Sequence, residues 1–589
     1  MRGHLQQGRG QLVGFCLLSA IATAVYLLTM DRTVSWWDCG EFIATGWLLQ
    51  VGHPPGAPTY QLLSHLFMLL SFGNPMLVAP LSNALSALAG GLTVGILYLT
   101  ILELTSYLSP SVSHLPAAIG ALCYLFCDTA WFSAVESEVY SLAMLFCALD
   151  LWLALRYRRT SNSRLLLLIA LLLGLGVGVH LMTLLVVPAL LLIALPSLVR
   201  CRRWGLILPA AMLFFALGLT TYLIIPIRAA AHPPINEGNP STSEAFMRYL
   251  KREQYPKAPL YPRMWRERDE ANWSDWTYGL DGAAGNAVYY VNYQLGYMYG
   301  RYLMYNFIGR ENLKSHHVVV FVLPFLLGFW GLLRHRRRSR WGFWVVMLLF
   351  LFGGAVLNLY LNHPCYEPRE RDYAYVLSFY AFAIWIGIGA GEVLTSPRLK
   401  GSLSRCLVVL LSLLAPLLMA CGNWSDHDRH NCHSVHDIAM GHLQSCDQDA
   451  LLITLGDNDT FPLWYLQQVE HQRTDIDIYN INLTGGARTM QLIDSSLGRR
   501  PVYFSQYFVD RFGKYYEGRL RCEGFCWQLL PDTNLSPFTS HLSPSIEWHI
   551  TESEYIDPVS SRFLDVWHRN LALMADEKGP RQSGALAEE

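Results

Sequence analysis

Charge is scarce in this chain of 589 residues. Asp, Glu, Lys and Arg together make up 15% of it, whereas hydrophobic residues make up 52%. One soluble core cannot bury so much apolar surface, and the mean hydropathy is +0.25. The formal net charge is −1, so no broad basic face is available to neutralise the phosphates of a nucleic acid. The composition therefore excludes a nucleic-acid partner and predicts a polytopic membrane protein.

The chain also lacks a convincing small-residue cleavage site after its first apolar run. That run, residues 12–30, follows Arg2 and Arg9 and is too long for the core of a signal peptide. It predicts a retained first span. The 13 cysteines say little about the redox compartment, because several of them, such as Cys16 and Cys123, lie inside apolar runs and behave there as small hydrophobic residues.

Apolar runs are what the chain has in abundance. About eleven of them are long enough, or nearly so, to cross a bilayer as helices, and they predict a mainly α-helical membrane protein. They are residues 12–30, 76–102, 117–132, 139–155, 165–179, 181–199, 206–227, 318–333, 341–361, 375–393 and 406–420.

Lys and Arg in the short connections predict the orientation. Clusters at 156–159, 200–203, 334–338 and 398–405 fall at every second connection, on the same side as the N-terminus. Since basic residues accumulate on the cytoplasmic side of a membrane, that side is predicted to be cytoplasmic. The first outer loop (31–75), the long connection 229–317 and everything after residue 421 are then predicted to lie outside.

From residue 422 to 589 the chain is soluble in character, and we predict a small extracytoplasmic α/β domain there. Residues 450–455 and 475–483 have the composition of strands, with a helical pattern at 460–471 between them, which indicates one βαβ unit. The residues from about Asp576 are predicted to form a disordered tail.

Two features of this domain leave alternatives open. The closely spaced acids of Gly456-Asp457-Asn458-Asp459-Thr460 could bind calcium, but the full EF-hand spacing is missing, so a turn with a helix N-cap is favoured. Cys522 and Cys526 are close enough in sequence to form a disulfide, and Cys432 and Cys446 are also available. The pairing stays open.

The segment Asp31–Tyr60 carries an acidic pair close to the first span. Asp38 and Glu41 stand at i and i+3, so both carboxylates lie on one face if a helix begins here. The turn His53-Pro54-Pro55-Gly56 follows, and its prolines make it rigid. A helix cap is the plain alternative, because helix N-termini favour acids. A rigid acidic turn beside a membrane favours a functional site.

Further candidates lie at other predicted outer ends of spans. In the loop 362–372, Arg369 and Arg371 are suited to hold a lipid phosphate bidentately. Arg228 is a second candidate for this role; the alternative is that its side chain only extends to the interface between membrane and water. Glu138, like its neighbour Glu136, could belong to the site or cap the following helix.

Two further features are open. His180 interrupts an apolar stretch and could be structural or part of the site, and neither an HxxH nor a CxxC motif lies beside it to suggest zinc. In the long connection, residues 239–250 and 287–307 are predicted to be amphipathic helices with many aromatic residues. Their aromatic side chains fit an interfacial belt or a platform for a sugar or peptide.

Three motifs carry a resemblance to a known family. With Asp38-Cys39-Gly40-Glu41-Phe42, Gly52-His53-Pro54-Pro55-Gly56 and the spans that follow, the chain resembles the GT-C superfamily of polyprenol-phosphate-sugar-dependent glycosyltransferases, and within it the transmembrane protein O-mannosyltransferases of the plexin and Met-receptor type. The stretch 456–462, GDNDTFP, is similar to that of bacterial members with an added outer domain. Trp36 and Trp37 stand where smaller residues are expected.

The resemblance implies a GT-C-like catalytic domain over residues 1–421 and an essential acid in the first outer loop, which falls on Asp38 with Glu41 beside it. It implies an inverting transfer of a sugar, mannose, from a polyprenyl-phosphate carrier to Ser or Thr hydroxyls of exported proteins. Asp38 would be the base. The groups expected to hold donor phosphate or substrate are His53, Glu138, His180, Arg228, Arg369 and Arg371.

No metal ligand set is expected, because a lipid monophosphate leaves with less charge than a diphosphate. No cofactor is expected either, and the predicted partners are the lipid-linked donor, an exported protein or peptide acceptor and membrane lipid. The predicted location is a bacterial inner membrane with the site on the periplasmic side. A transporter or flippase for a lipid-linked sugar and a transferase that acts on a glycan or lipid acceptor are the alternatives, although no internal repeat supports a transporter.

Overall fold

The computed structural model of this protein describes residues 2–107, 110–200, 204–263, 270–310, 321–365, 369–397, 402–531 and 557–578. These residues are mainly helical, with one small sheet near the C-terminus, so the predicted fold class is confirmed. The predicted tail begins inside the last helix, and residues 579–589 lie outside the described part of the chain.

Twenty α-helices lie among the described residues of the first part of the chain. They are α1 (Arg2–Thr29), α2 (Cys39–Leu48), α3 (Pro58–Met68), α4 (Val78–Leu104), α5 (Pro110–Leu125), α6 (Asp128–Ala134), α7 (Val139–Thr160), α8 (Arg164–Val177), α9 (Val187–Arg200), α10 (Trp204–Leu219), α11 (Ile224–Ala229), α12 (Ser243–Leu250), α13 (Glu270–Thr277), α14 (Gly282–Tyr289), α15 (Arg301–Phe307), α16 (Leu323–Arg338), α17 (Arg340–Phe352), α18 (Ala355–Leu361), α19 (Val376–Leu394) and α20 (Ser402–His427). A π-helix at Tyr290–Gly300 joins α14 to α15.

The second part alternates strands and helices. It consists of α21 (Ser434–Gln444), β1 (Leu451–Thr454), α22 (Phe461–Gln468), β2 (Asp477–Asn480), α23 (Ile481–Thr484), α24 (Gly486–Ser496), β3 (Val502–Ser505), α25 (Gln506–Phe512), β4 (Leu520–Glu523), β5 (Cys526–Leu529) and α26 (Pro558–Lys578).

Eight helical segments in the described part of the chain are long and apolar enough to cross a membrane, and a bent pair raises the number to nine if it is one span. The pair is Ser113–Leu125 with Asp128–Ala134, which meet at 66°. Of the two other predicted spans, 165–179 coincides with the shorter helix α8, and 318–333 overlaps α16 but begins outside the described residues, so the predicted count of eleven is not confirmed. The eight segments are Gly8–Thr29, Pro75–Leu104, Val139–Thr160, Leu181–Val199, Trp204–Ala229, Arg340–Leu361, Asp372–Leu394 and Leu403–His427.

The predicted cytoplasmic connections carry ion pairs at the helix ends. Arg156 and Arg159 approach Glu103 at the end of α4, with the closer N–O distance being 3.1 Å. In the same way Arg334 and Arg338 pair with the buried Glu392 of α19, at 2.9 and 2.8 Å. The carboxylates of Glu103 and Glu392 thus neutralise part of the basic charge from which the cytoplasmic orientation of these connections is predicted.

The C-terminal sheet has the strand order β2-β1-β3-β5-β4. Strands β1 and β2 are parallel and α22 lies between them in the chain, so the predicted βαβ unit is confirmed. In the β4–β5 hairpin Cys522 pairs with Trp527, and Glu523 pairs with Cys526. Directly paired residues share a face of a sheet, so Cys522 and Cys526 point to opposite faces, and this register excludes the first disulfide considered above.

The C-terminal domain packs directly on α2. Trp36 donates a hydrogen bond through Nε1 to Ser560 Oγ (2.9 Å), and its ring stacks on Phe563 at 5.0 Å. A Cβ atom on Gly40 would lie 2.5 Å from the carbonyl oxygen of Phe461 at the start of α22. Only a glycine permits so close an approach of α2 to α22. The first outer loop and the C-terminal domain therefore form one continuous packed surface.

Candidate functional site

Asp38 precedes α2 and does not cap it. Its side chain makes no capping hydrogen bond, although its carbonyl oxygen accepts from Phe42 N at 2.9 Å. One carboxylate oxygen instead faces Arg369, with an N–O distance of 3.5 Å. The side chain keeps 21% of its surface exposed. The helix-cap alternative for Asp38 is therefore wrong, and its carboxylate is accessible to a substrate.

Glu41 lies one turn further along α2 in a different environment. It is completely buried, and its carboxylate binds His53 twice: Oε1 accepts from the backbone N at 2.5 Å and Oε2 contacts Nδ1 at 2.6 Å. Burial lowers the pKa of His53, but the adjoining Glu41 carboxylate raises it, and the pKa ends well above its usual value. The pairing with Glu41 thus favours the protonated imidazolium form of His53.

The turn after α2 closes on this pair. A Cβ atom on Gly52 would overlap the Glu41 carboxylate, so this position needs a glycine. Gly56 has φ +82°, in the left-handed region that also favours glycine. Tyr249 of α12 donates its hydroxyl to the carbonyl oxygen of Gly52 at 2.6 Å. The long connection thus helps to hold the turn in place.

Arg369 lies between aromatic rings and carboxylates. Its guanidinium carbon is 4.6 Å from the ring centroid of Trp37 and 4.6 Å from that of Tyr373. It approaches Glu138 at 3.9 Å as well as Asp38. Burial lowers its pKa, but Tyr373 and Asp38 raise it, so the pKa stays well above the usual value and the group is a permanent cation.

Glu138 faces the site rather than capping α7. It is 2% exposed, makes no capping hydrogen bond, and neither of its carboxylate oxygens has a hydrogen-bond partner among the described residues. Burial and the nearby Asp38 charge raise its pKa well above the usual value, which favours the neutral acid. The cap alternative is wrong for Glu136 too, since its Oε2 pairs with Arg429 at 2.8 Å.

Of the remaining predicted residues, Arg371 and His180 lie near the site, whereas Arg228 supports the end of a helix. Arg371 donates through Nη1 to the hydroxyl of Tyr373 at 2.5 Å, and the Tyr373 ring in turn contacts Arg369. His180 meets the ring of Tyr140 edge-on at 5.6 Å, and Nδ1 accepts from the backbone of Met182. Arg371 thus contacts a ring that supports Arg369, and His180 lies within electrostatic range of Asp38.

Arg228 has a structural role at the end of α2. Its Nε donates to the carbonyl oxygen of Leu49 at 2.6 Å, and Nη2 donates to that of Leu48 at 3.0 Å. Carbonyl oxygens at the end of a helix have no partner within the helix, and the arginine donates hydrogen bonds to these two. Its positive charge is also favourable beside the negative end of the helix dipole. Its guanidinium therefore supports the helix rather than facing Asp38.

Sequence reasoning missed two parts of the site. Glu237, in the long connection, is buried with no hydrogen-bond partner for either carboxylate oxygen among the described residues, and burial and the nearby Glu41 charge raise its pKa well above the usual value. Asn458, in the C-terminal domain, accepts a hydrogen bond from the backbone N of Trp37 at 2.8 Å. The signals for the second were the acid-rich stretch 456–460 and the family similarity of 456–462.

Two groups of side chains among the described residues could hold a metal ion. One is Asp38, Glu41 and His53, and the other is Cys39, Glu136 and Glu138; within each group one ligand atom per residue lies within 4.8 Å of the others. His53 would have to release the proton that its pairing with Glu41 favours, so the first set fits a metal less well than an ion pair. The turn 456–460 is held by Asp459, whose Oδ1 and Oδ2 accept from Gly456 N and Leu455 N at 2.7 and 3.2 Å.

The turn that was predicted at 456–460 is therefore confirmed, but the helix N-cap that was predicted with it is not. Thr460 precedes α22 without a capping hydrogen bond from its side chain. Its hydroxyl instead donates to the carbonyl oxygen of Gly456 at 2.6 Å.

Comparison with known proteins gives matches in both parts of the chain. Residues 38–200 match the family model of the protein O-mannosyl-transferase TMEM260 N-terminal domain, and residues 435–488 match TMEM260-associated domain 2. The first match begins at Asp38 and includes both motifs of the first outer loop.

Two named relatives align over most of the chain. Protein O-mannosyl-transferase tmem260 of Dictyostelium discoideum is 23% identical over 509 residues, which cover 79% of this chain and 57% of the relative. Protein O-mannosyl-transferase TMEM260 of Mus musculus is 24% identical over 485 residues, which cover 80% of this chain and 62% of the relative. The chain therefore spans about six tenths of the length of these two relatives.

Among solved structures, ArnT from Cupriavidus metallidurans bound to undecaprenyl phosphate aligns with 87% of this chain and 97% of its own, at 11% identity and a TM-score of 0.49. The matches in both parts of the sequence confirm the resemblance that the motifs at 38–42 and 52–56 indicated: this chain is similar to the TMEM260 family of protein O-mannosyltransferases.

Proposed function

We propose that this chain is an inverting membrane glycosyltransferase that moves mannose from a polyprenyl-phosphate carrier to Ser or Thr hydroxyls of exported proteins. The observation that carries the proposal is the pair of Asp38 and Arg369: an accessible carboxylate lies 3.5 Å from a guanidinium held between two aromatic rings. A base and an anion-binding cation are the two groups that such a transfer needs side by side. The names of the two relatives support the acceptor class and the sugar.

The reaction is a single displacement at the anomeric carbon. The acceptor hydroxyl oxygen forms a bond to that carbon while the bond between the carbon and the phosphate oxygen breaks. The hydroxyl proton passes to the Asp38 carboxylate, and the polyprenyl phosphate leaves with the bonding electron pair. Attack from the face opposite the leaving phosphate inverts the configuration, by the same reasoning that applies to inverting glycosidases.

Arg369 takes the leaving phosphate in this scheme. In the structure it is shared between Asp38 and Glu138, at 3.5 and 3.9 Å, and both distances are longer than a charge-assisted hydrogen bond. A phosphate with two accepting oxygens would compete well for the guanidinium. The neutral form favoured for Glu138 removes one negative charge from the neighbourhood of that phosphate.

Glu41 and His53 position the site. Because both Glu41 oxygens bind His53, this carboxylate is committed to the turn and is not available as the base. The positive charge on His53 also reduces the field of the acids around Asp38. His53 retains 27% side-chain exposure, so its ring can contact a substrate as well.

We further propose that the site faces the extracytoplasmic side, which is the periplasm if the membrane is a bacterial inner membrane. The alternating basic connections support this orientation. His180, Arg371 and Arg228 then lie at the outer ends of their spans. No cofactor enters the scheme, in which the lipid-linked sugar is a substrate.

A radiolabel transfer assay tests the function. Purified protein is mixed with polyprenyl-phosphate mannose, labelled in the sugar, and a peptide rich in Ser and Thr. We expect label in the peptide with the configuration at the anomeric carbon inverted. Label that crosses the bilayer of a proteoliposome without reaching any acceptor would indicate a flippase instead.

A further inference from the structure

The turn between β1 and α22 brings Asp457 and Asn458 to the first outer loop: Asp457 lies within electrostatic range of Asp38 and Arg369, and Asn458 contacts Trp37. Asp459 and Thr460 turn inward: Asp459 accepts from Gly456 N at 2.7 Å, and Thr460 donates to the carbonyl oxygen of Gly456 at 2.6 Å. Asn480 on β2 donates to the Thr460 hydroxyl at 2.9 Å. With its neighbours fixed in this way, Asn458 is held in one orientation.

Asn458 reaches across the domain boundary to a strained residue. Its Oδ1 accepts from the backbone N of Trp37 at 2.8 Å, and Asn458 is only 9% exposed. Trp37 has φ +61°, a left-handed conformation that an aromatic residue rarely adopts. A strained backbone persists only where the surrounding structure imposes it. The hydrogen bond from Trp37 to Asn458 is a contact that does so.

Trp37 is one of the residues that support Arg369, together with Tyr373, Asp38 and Glu138. The Trp37 ring is one of the two aromatic surfaces on which the guanidinium rests, at 4.6 Å from the ring centroid. The next residue along the chain is Asp38, which faces the same guanidinium. A change in the backbone at Trp37 would therefore move both the carboxylate and the surface that supports Arg369.

We propose that Asn458 is a positioning residue: through Trp37 it fixes Arg369 for the phosphate of the lipid-linked substrate, so that the C-terminal domain completes the phosphate subsite. This inference rests on the proposed function in that it takes Arg369 to be the phosphate-binding group. The close approach of Gly40 to the carbonyl oxygen of Phe461, three residues after Asn458, supports it, because it holds α2 and the turn in register.

The test measures the dissociation constant of polyprenyl monophosphate for the full chain in lipid nanodiscs, so that it does not depend on transfer. We expect Asn458→Ala to weaken binding by about tenfold, the effect of about 1.4 kcal/mol in lost positioning. The matched control is Asn570→Ala, which removes a buried hydrogen bond of 2.8 Å to Gly524 in the same domain. It should leave the constant within about twofold of the wild type.

A second pair of variants separates positioning from general loosening of the fold. If Asn458 acts through Trp37, then Asn458→Ala should cause no further loss when it is added to Trp37→Ala. If Asn458→Ala does not fold, Asn458→Ser replaces it; its shorter side chain should give an intermediate dissociation constant. The inference would be overturned if the folded Asn458 variant bound polyprenyl monophosphate with wild-type affinity. It would also be overturned if Asn458→Ala caused its full loss of affinity when added to Trp37→Ala.

Two other results separate a failure of this inference from a failure of the proposed function. A wild-type protein that binds no polyprenyl monophosphate would also overturn the inference. A wild-type protein that binds the phosphate, loses affinity in Asn458→Ala and yet transfers no sugar would leave the inference standing and refute the proposed function.

Discussion

Asp38 and Glu41 carry the same functional group three residues apart, and their surroundings give them different roles. The Asp38 side chain is 21% exposed beside Arg369, whereas Glu41 is buried and holds the backbone and ring of His53. A base must be accessible to the hydroxyl that it deprotonates. Only Asp38 meets that condition.

Asp38→Asn should strongly reduce the rate of sugar transfer without unfolding the protein. The amide keeps the shape of the side chain and can still accept a hydrogen bond, but it cannot take up the acceptor proton. We expect the transfer rate at saturating donor and acceptor to fall by about a hundredfold to ten-thousandfold. Glu41→Gln should cost less, because it weakens the pairing with His53 and leaves the base in place. A well-folded Asp38→Asn protein with wild-type transfer would remove Asp38 from the mechanism.

Arg369→Ala should raise the KM for the donor more than the KM for the acceptor peptide, because the guanidinium is the cation beside the base. Arg369→Lys should recover only part of the donor affinity, since an ammonium lacks the planar pair of donors. Arg371→Ala should have a smaller effect, because its contact is with the Tyr373 hydroxyl. Arg562→Ala, at a side chain that is 63% exposed, serves as the control.

The same assay decides between arginine and metal as the phosphate-binding group. Transfer should survive EDTA. Loss of transfer in EDTA, with recovery on adding magnesium or manganese, would show that the acids around Asp38 hold an ion and that the assignment to Arg369 is incomplete.

At the scale of elements, His436 links α21 to the end of α22. Its Nε2 contacts Glu470 Oε2 at 3.0 Å and its Nδ1 approaches Asp437 at 3.4 Å. Burial lowers its pKa, but the hydrogen bonds to the two acids raise it, to about 9. Since this folded-state value lies above the ordinary 6.5, the pairing contributes stability that is complete below pH 6.5 and is lost as the pH rises through about 9.

His436→Gln should therefore lower the free energy of unfolding by about 1 kcal/mol in mildly acidic solution and by much less above the raised pKa. Thermal unfolding of the detergent-solubilised protein, followed across that pH range, measures the difference. His471→Gln, at an exposed histidine of the same domain, is the control. A difference between His436→Gln and wild type that does not change with pH would contradict the ion pair.

The contact between α2 and α22 is the other critical junction of elements. Gly40→Ala would place a methyl group 2.5 Å from the Phe461 carbonyl oxygen, and a backbone atom cannot move aside as a side chain can. We expect a loss of about 1–3 kcal/mol in stability together with reduced transfer. Gly205→Ala, in α10 with no atom within 4 Å of the new methyl group, should be neutral. Equal behaviour of the two variants would show that α2 and α22 separate easily.

For the whole molecule, the testable property is orientation in the membrane. Ser161, after α7, lies beside the predicted cytoplasmic cluster 156–159, and Tyr515 lies in the C-terminal domain with 80% exposure. In a chain whose exposed Cys16, Cys406 and Cys421 are replaced by serine, a membrane-impermeant maleimide should label Tyr515→Cys in intact cells. Ser161→Cys should react only after permeabilisation. The reverse pattern would invert the orientation.

Much of the architecture could be predicted from the chain because it follows from local composition. Long apolar runs must form helices in a bilayer, where every backbone group needs a partner. The same reasoning could not separate full spans from the shorter α8, because an apolar run predicts burial but not whether lipid or protein covers it. The βαβ unit was predictable because strand and helix have different hydrophobic periods.

The sequence indicated most of the candidate site residues, including the distant Glu138 and Arg369, but it related them to one another only where they are close in the chain. The spacing of Asp38, Glu41 and the turn at 53–56 determined that two acids and a rigid turn share one loop. Tertiary contacts decided which acid is the base. They also decided that Glu41 pairs with His53 and that Arg228 supports the end of a helix. The roles of chemically identical groups depend on burial and partners, which no spacing encodes.

The sequence by itself determined that this is a helical membrane protein with an α/β domain after its last span, because hydropathy and periodicity are properties of short segments. The tertiary structure alone decided that Arg369, Glu138 and Asn458 meet around Trp37 and Asp38. The outermost of these residues are hundreds of positions apart in the chain, and the packing of distant segments brings them together. Contacts of that kind arise from the complementary surfaces of whole elements, so they become visible only once the chain is folded.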